Sequence, residues 1–169
     1  GSYYSIIYFD EQNRDFSSEF DSIFKEIEST LSLWDENSII RRVNRNDTTV
    51  VLNQIFIDNF NYAMKAAELS DGYFDPTVGP LVQAWGFHFK EGIEMTPEIV
   101  DSLKQLVDYR KVKIENNKVV KGNPNMTLDF NAVAQGYTTD MIGDFLLSKN
   151  VNNFLVDVGG EILARGRKP

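Results

Sequence analysis

One stretch constrains the fold of this chain more than any other. After Met126-Thr127 it runs LDFNAVAQGYTTDMIGDFLL, and after a short gap NFLVDVGGEILA, ending at Ala164. It reads as strand, tight turn, helix, strand, glycine pair, strand. Thr127–Phe130 is a short apolar run carrying one acid, Asp129, and Asn131 is a suitable N-cap. Ala134, Tyr137, Met141, Ile142, Phe145 and Leu146 then fall on one face at helical spacing. The helix is expected to close at Lys149–Asn150, because Asn tolerates the left-handed conformation. Phe154, Val156 and Val158 alternate as a strand face, and Gly159–Gly160 interrupts before Glu161–Ala164. Two features stand out. Gly136 sits inside the helix at a cost of about 1 kcal/mol relative to Ala, which points to a close approach to the backbone there. Asp129 lies where a strand reaches a helix N-terminus, a natural place for phosphate and metal. The plain alternative is a βα unit with a capping acid and a bulge glycine.

Upstream, Tyr3–Phe9 reads as a strand and Phe16 to about Ser32 as an amphipathic helix. Ser38 caps a short helix carrying Ile39, Ile40 and Val43, with Arg41 and Arg42 on a solvated face or meeting carboxylates. Thr49–Leu52 is a strand candidate, and Gln54–Leu69 a second long helix stopped by Ser70-Asp71-Gly72. The segment GYFDPTVGPLVQAWGFHF bends at Asp75–Pro76 and Gly79–Pro80. It crowds five aromatics between Tyr73 and Phe89, which serve either as a core plug or as a stacking platform for a flat heteroaromatic ring. Thr96-Pro97-Glu98 opens a helix to about Tyr109, and a hairpin turns about Glu115–Asn117. Strands and helices mix without a βαβ rhythm, so the expected class is α+β with a largely antiparallel sheet and packed helices, in one domain. Glu161–Ala164 is expected to lack a partner strand. The chain then reads as truncated, with an open edge suited to self-association.

Composition narrows the chemistry. A net charge of −8 argues against nucleic acid. An anionic ligand would need a helix N-terminus, backbone amides or a divalent cation. The absence of cysteine excludes thiolate catalysis and disulfides, and the single histidine, His88, makes multi-histidine metal sites and a Ser-His-Asp triad poor fits. His88 receives no role as a base.

Four stretches in order resemble the ApbE-type FAD:protein FMN transferases. LSLWDENSIIRRVN is similar to the family's aromatic, Asp, Ser and later Arg-x-Asn. DGYFDPTVGPLVQAWGF resembles its most characteristic run, LDFNAVAQGYTTD its Asp-x-x-Ala-x-x-Lys/Gln/Glu-Gly-Tyr motif, and FLVDVGGEILARG its glycine-glycine-Glu strand. The resemblance implies binding of FAD beside a divalent cation, normally Mg²⁺, and transfer of its FMN half to a threonine of an acceptor protein with release of AMP. Trp34 then matches the aromatic near the flavin. Tyr73, Phe74 and Asp75 match the run that contacts FAD, Asp129 and Gln135 two further ligand contacts, and Ala132 a carbonyl that helps hold the metal. The resemblance also implies an extracytoplasmic bacterial protein, either periplasmic or a lipoprotein held at the membrane by an N-terminal lipid anchor removed from this sequence. Family chains continue into an Asp-rich, Thr-containing motif that completes the metal site, so residues 1–169 read as the N-terminal portion of a longer chain. A non-catalytic FAD binder and a metal-dependent FAD pyrophosphatase use the same features and remain alternatives.

Overall fold

A computed structural model describes residues 3–87 and 92–167. His88, Phe89, the first two residues and the last two lie outside the described residues. The architecture is α+β, and every pairing between named strands is antiparallel: a three-stranded sheet in the order β1-β4-β5 and a separate hairpin, β2-β3. The chain divides into two compact units, residues 1–28 with 131–169, and residues 29–130.

In the first unit, β1 (Tyr4–Phe9) pairs with β4 (Asn153–Val158), which also pairs with β5 (Glu161–Arg165). The turn between β4 and β5 uses Gly159 and Gly160, both at positive φ. β5 therefore has a partner, contrary to the expectation of an unpaired strand, because the glycine pair folds it straight back onto β4. One sheet face carries Val156 and Val158, packed with Phe16 and Phe20 of the α1 region and with Ile142 and Leu146 of α6 (Asn131–Ser148). Phe16, Phe20 and Phe145 meet edge to face, an arrangement favoured by their quadrupoles. α1 (Ser17–Leu31) and the ending of α6 follow the sequence expectation, with Asn150 at φ +62°.

Helix α6 begins at Asn131 itself, and its buried side differs from the expected face. Thr138, Thr139, Ile142, Gly143 and Leu146 are buried, whereas Ala134, Tyr137, Met141 and Phe145 are half-buried. The threonines fit because their hydroxyls donate back to the carbonyls of Ala134 and Gln135. Gly143 fits because a Cβ there would lie 2.4 Å from Leu163 Cδ2.

The second unit is built on α3 (Gln54–Leu69), whose Phe56, Phe60, Ala63 and Ala67 are buried and whose Phe56 and Phe60 rings meet Phe130. Asn53 caps it by accepting from the Phe56 amide. Ser38 caps α2 (Ile39–Asn44) by accepting from the Arg41 amide, as expected. Arg41 and Arg42 meet carboxylates close in sequence, Glu36 and Asp47. Four local expectations are corrected here. Thr49–Leu52 is not a strand, because the Asp47 carboxylate accepts from the Thr49 amide and hydroxyl and curls the chain into a turn. Gly79–Pro80 is more than a bend, since the proline's fixed φ opens α4 (Gly79–Ala84). α5 (Pro97–Lys104) stops short of Tyr109, whose amide is taken by Asp75 while that of Asp108 is taken by Thr77. Tyr109–Lys111 forms a 3₁₀ turn instead, leading into β2 (Val112–Glu115) and β3 (Lys118–Lys121) across Asn116 and Asn117, both at positive φ. Finally, Thr127–Phe130 is extended but makes only an isolated parallel bridge, Thr127 to Val78.

Candidate functional site

Two sequence-predicted regions of the second unit lie side by side. The Asp129 amide donates to the Pro76 carbonyl at 2.8 Å, next to the Val78–Thr127 bridge. The approach is close enough to require Gly79, where a Cβ would stand 2.4 Å from Thr127 Oγ1. Met126, Leu128 and Phe130 point into the core, while Thr127 and Asp129 alternate to the other side and are half-buried. Alternation thus leaves the Asp129 carboxylate on the more open side of a fixed backbone.

Asp75 is heavily engaged. One carboxylate oxygen accepts from the Thr77 amide (2.8 Å) and hydroxyl (2.6 Å), and the other from the Tyr109 amide (2.8 Å). Thr77, fully buried, accepts in turn from the Asp108 amide at 2.9 Å. Asp108 itself is held below the usual carboxylate range by Arg110, which bonds it at 2.8 Å. Asp75 therefore ties the 75–77 loop to residues 108–109.

Of the four described aromatics in this segment, three stand outside the core. Tyr73 is 96% exposed and Phe87 75%, Trp85 is also exposed, and Phe74 is half-buried. Trp34 is 60% exposed in the loop after α1, where Ser32 Oγ accepts from its amide. Exposed aromatic faces of this kind offer stacking surface to a planar ring.

In the first unit, Ala132 and Gln135 lie in the first turns of α6, Ala132 exposed and Gln135 half-buried. A Cβ built on Gly136 would meet nothing within 4 Å. Side chains on a helix lean toward its N-terminus, so a larger residue at 136 would cover the carbonyls of the turn containing Ala132. A helical carbonyl keeps a second lone pair, and Gly136 leaves it approachable. The Asp129 carboxylate and the Ala132 carbonyl are each hard oxygen donors of the kind that Mg²⁺ takes about six of. Among the described residues no three acidic or imidazole side chains gather into a metal cluster.

Sequence reasoning passed over Asn44, Thr77 and Lys121. Asn44 lies in the Arg-x-Asn of the family pattern, but nothing in its spacing revealed what its amide touches. Lys121 reads as an ordinary strand lysine. It is half-buried, and burial pushes its ammonium down to about 8. It donates to the carbonyls of Met126 (2.9 Å), Val43 and Asn44 (both 3.3 Å).

The antiparallel α+β fold carries exposed aromatics and an acid-bearing segment bonded to the Pro76 carbonyl. The chain belongs to the ApbE family, whose sequence profile matches residues 1–169. It is similar to the FAD:protein FMN transferase of Vibrio cholerae, with 28% identity over 178 residues, covering 98% of this chain and 52% of that protein. Similarity to the FAD:protein FMN transferase of Haemophilus influenzae is also 28%, over 181 residues, covering 99% and 52%. Among solved structures, the flavin transferase ApbE from Vibrio cholerae superposes with a TM-score of 0.89 at 26% identity, over 98% of this chain and 56% of that one. The chain spans about half the length of the curated relatives it matches.

Proposed function

We propose that this chain forms the FAD-binding portion of a Mg²⁺-dependent FAD:protein FMN transferase. What supports the reading is the Asp129–Pro76 backbone bond, which sets the YFDPT segment against the acid-bearing one, together with family membership over residues 1–169. Trp34, Tyr73 and Phe74 offer the isoalloxazine ring aromatic faces. Asp129 serves the pyrophosphate end, and Asp75 holds the 75–77 loop to residues 108–109; the family pattern assigns Gln135 and the Ala132 carbonyl to the ligand as well. Mg²⁺, when bound, neutralises charge on the transferring and leaving phosphoryl groups. A threonine hydroxyl of the acceptor attacks the FMN phosphorus. The new P–O bond forms as the bond to AMP breaks; AMP leaves with the electron pair, and the hydroxyl proton passes to solvent or to a base. In a protein of net charge −8, local hard-oxygen ligation of a cation is one means of accepting an anionic substrate.

The test mixes the protein with FAD, Mg²⁺ and a threonine-bearing acceptor peptide, reading covalent flavin by in-gel fluorescence and AMP by chromatography. Transfer gives labelled peptide and AMP in equal amounts. AMP without label identifies a pyrophosphatase, and bound FAD with neither product identifies a binder.

A further inference from the structure

The segment that carries Asp129 has the pattern of a strand but almost no strand partners. Its backbone is held by side chains. Asn44, the last residue of α2, donates from Nδ2 to the Leu128 carbonyl at 2.9 Å and accepts at Oδ1 from the Leu128 amide at 2.8 Å. A primary amide used in this way imitates one residue of an adjacent strand, satisfying both backbone groups of a residue that is 1% exposed. Lys121 Nζ on the Met126 carbonyl is a neighbouring contact of the same kind, whereas the Asp129 amide bonds backbone to backbone with the Pro76 carbonyl.

We propose that Asn44 is a positioning residue for Asp129: by gripping both backbone groups of Leu128 it fixes the direction in which the next side chain leaves the chain. This rests on the reading that Asp129 serves the FAD–Mg²⁺ site. The grip is rigid at its other end. α2 is anchored by Ser38, whose hydroxyl donates to the Ser32 carbonyl at 2.6 Å and accepts from the Arg41 amide, and by the buried side chains of Ile40 and Val43. A true strand partner would fix many residues at once. A single amide fixes one, immediately before the acid, and leaves the Asp129 side chain on the open side.

The test compares the unaltered protein with Asn44→Ala and with Asn46→Ala, whose amide holds only the Pro124 carbonyl of the same region. Hydrogen exchange is read at the Leu128 and Asp129 amides, and FAD affinity is measured with and without Mg²⁺. Asn44→Ala is expected to speed exchange at Leu128 by at least about tenfold, a local opening. It is also expected to cut the Mg²⁺-induced gain in FAD affinity about tenfold, well beyond its effect on metal-free binding. Asn46→Ala should change neither. Should Asn44→Ala fail to fold, Asn44→Asp, which is isosteric and still accepts from the Leu128 amide, takes its place, with the same loss of the Mg²⁺ gain expected. Continued protection of Leu128, or an unchanged Mg²⁺ gain once Leu128 has opened, overturns the inference alone. Absence of FAD binding by the unaltered protein overturns the proposed function, and the inference with it.

Discussion

The Asp129 amide donates to the Pro76 carbonyl at 2.8 Å, so the acid-bearing segment and the YFDPT loop are bonded backbone to backbone. Neither end of that bond depends on a side chain that substitution could remove. Side-chain substitution at 73, 74 and 129 can therefore leave the frame in place.

Trp34→Ala should weaken FAD binding by about 1–3 kcal/mol, the usual worth of one aromatic stacking partner, and leave the melting temperature nearly unchanged because the indole is 60% exposed. Calorimetry checks this. An unaltered affinity would remove Trp34 from the flavin site.

Asp129→Asn keeps the shape and removes one charge. Mg²⁺-dependent turnover should fall at least about tenfold, or about 1.4 kcal/mol of transition-state stabilisation, with an unchanged circular dichroism spectrum. A variant that melts early and keeps its metal dependence would make Asp129 a structural cap.

Gly136→Ala separates two effects. The added methyl meets no neighbour, so helix propensity alone should raise stability by about 0.5–1 kcal/mol. If the backbone of that turn is approached by ligand or metal, FAD affinity in Mg²⁺ should drop at the same time. A gain in stability with no loss of affinity would return Gly136 to the role of a tolerated helix glycine.

Lys121 predicts a pH dependence with a definite sign. Its folded-state value, about 8, lies below the 10.5 of a free lysine, so the folded protein favours the neutral amine. The corresponding stability is fully present above pH 10.5 and is lost as pH falls through 8. The melting temperature of the unaltered protein minus that of Lys121→Met should therefore rise between pH 8 and 10.5. A flat difference would mean that the three carbonyls offset the burial.

Local signals carried much of the fold. Gln54–Leu69 appears with those bounds because its apolar spacing and its Ser70-Asp71-Gly72 stop are local, and the Glu115–Asn117 turn is legible from its asparagines. Thr127–Phe130 and Thr49–Leu52 were misjudged for one shared reason: side chains distant in sequence or a turn-forming Asp satisfy backbone groups that a strand reading assigns to a ladder. The early end of α5 has the same origin, in Asp75 and Thr77. At the candidate site, the residue types of Asp129 and Tyr73 were readable. Asn44 was not, because a bidentate amide contact across the 84 positions separating it from Leu128 leaves no periodicity.

The central claim, that these residues form an FAD site strengthened by Mg²⁺, is tested most directly by titrating the protein with FAD in the presence and absence of Mg²⁺ and following flavin fluorescence. The account predicts saturable quenching whose midpoint moves to lower FAD concentration when Mg²⁺ is added, with that shift lost in Asp129→Asn. Quenching that fails to saturate, or that saturates identically with and without Mg²⁺, would contradict it.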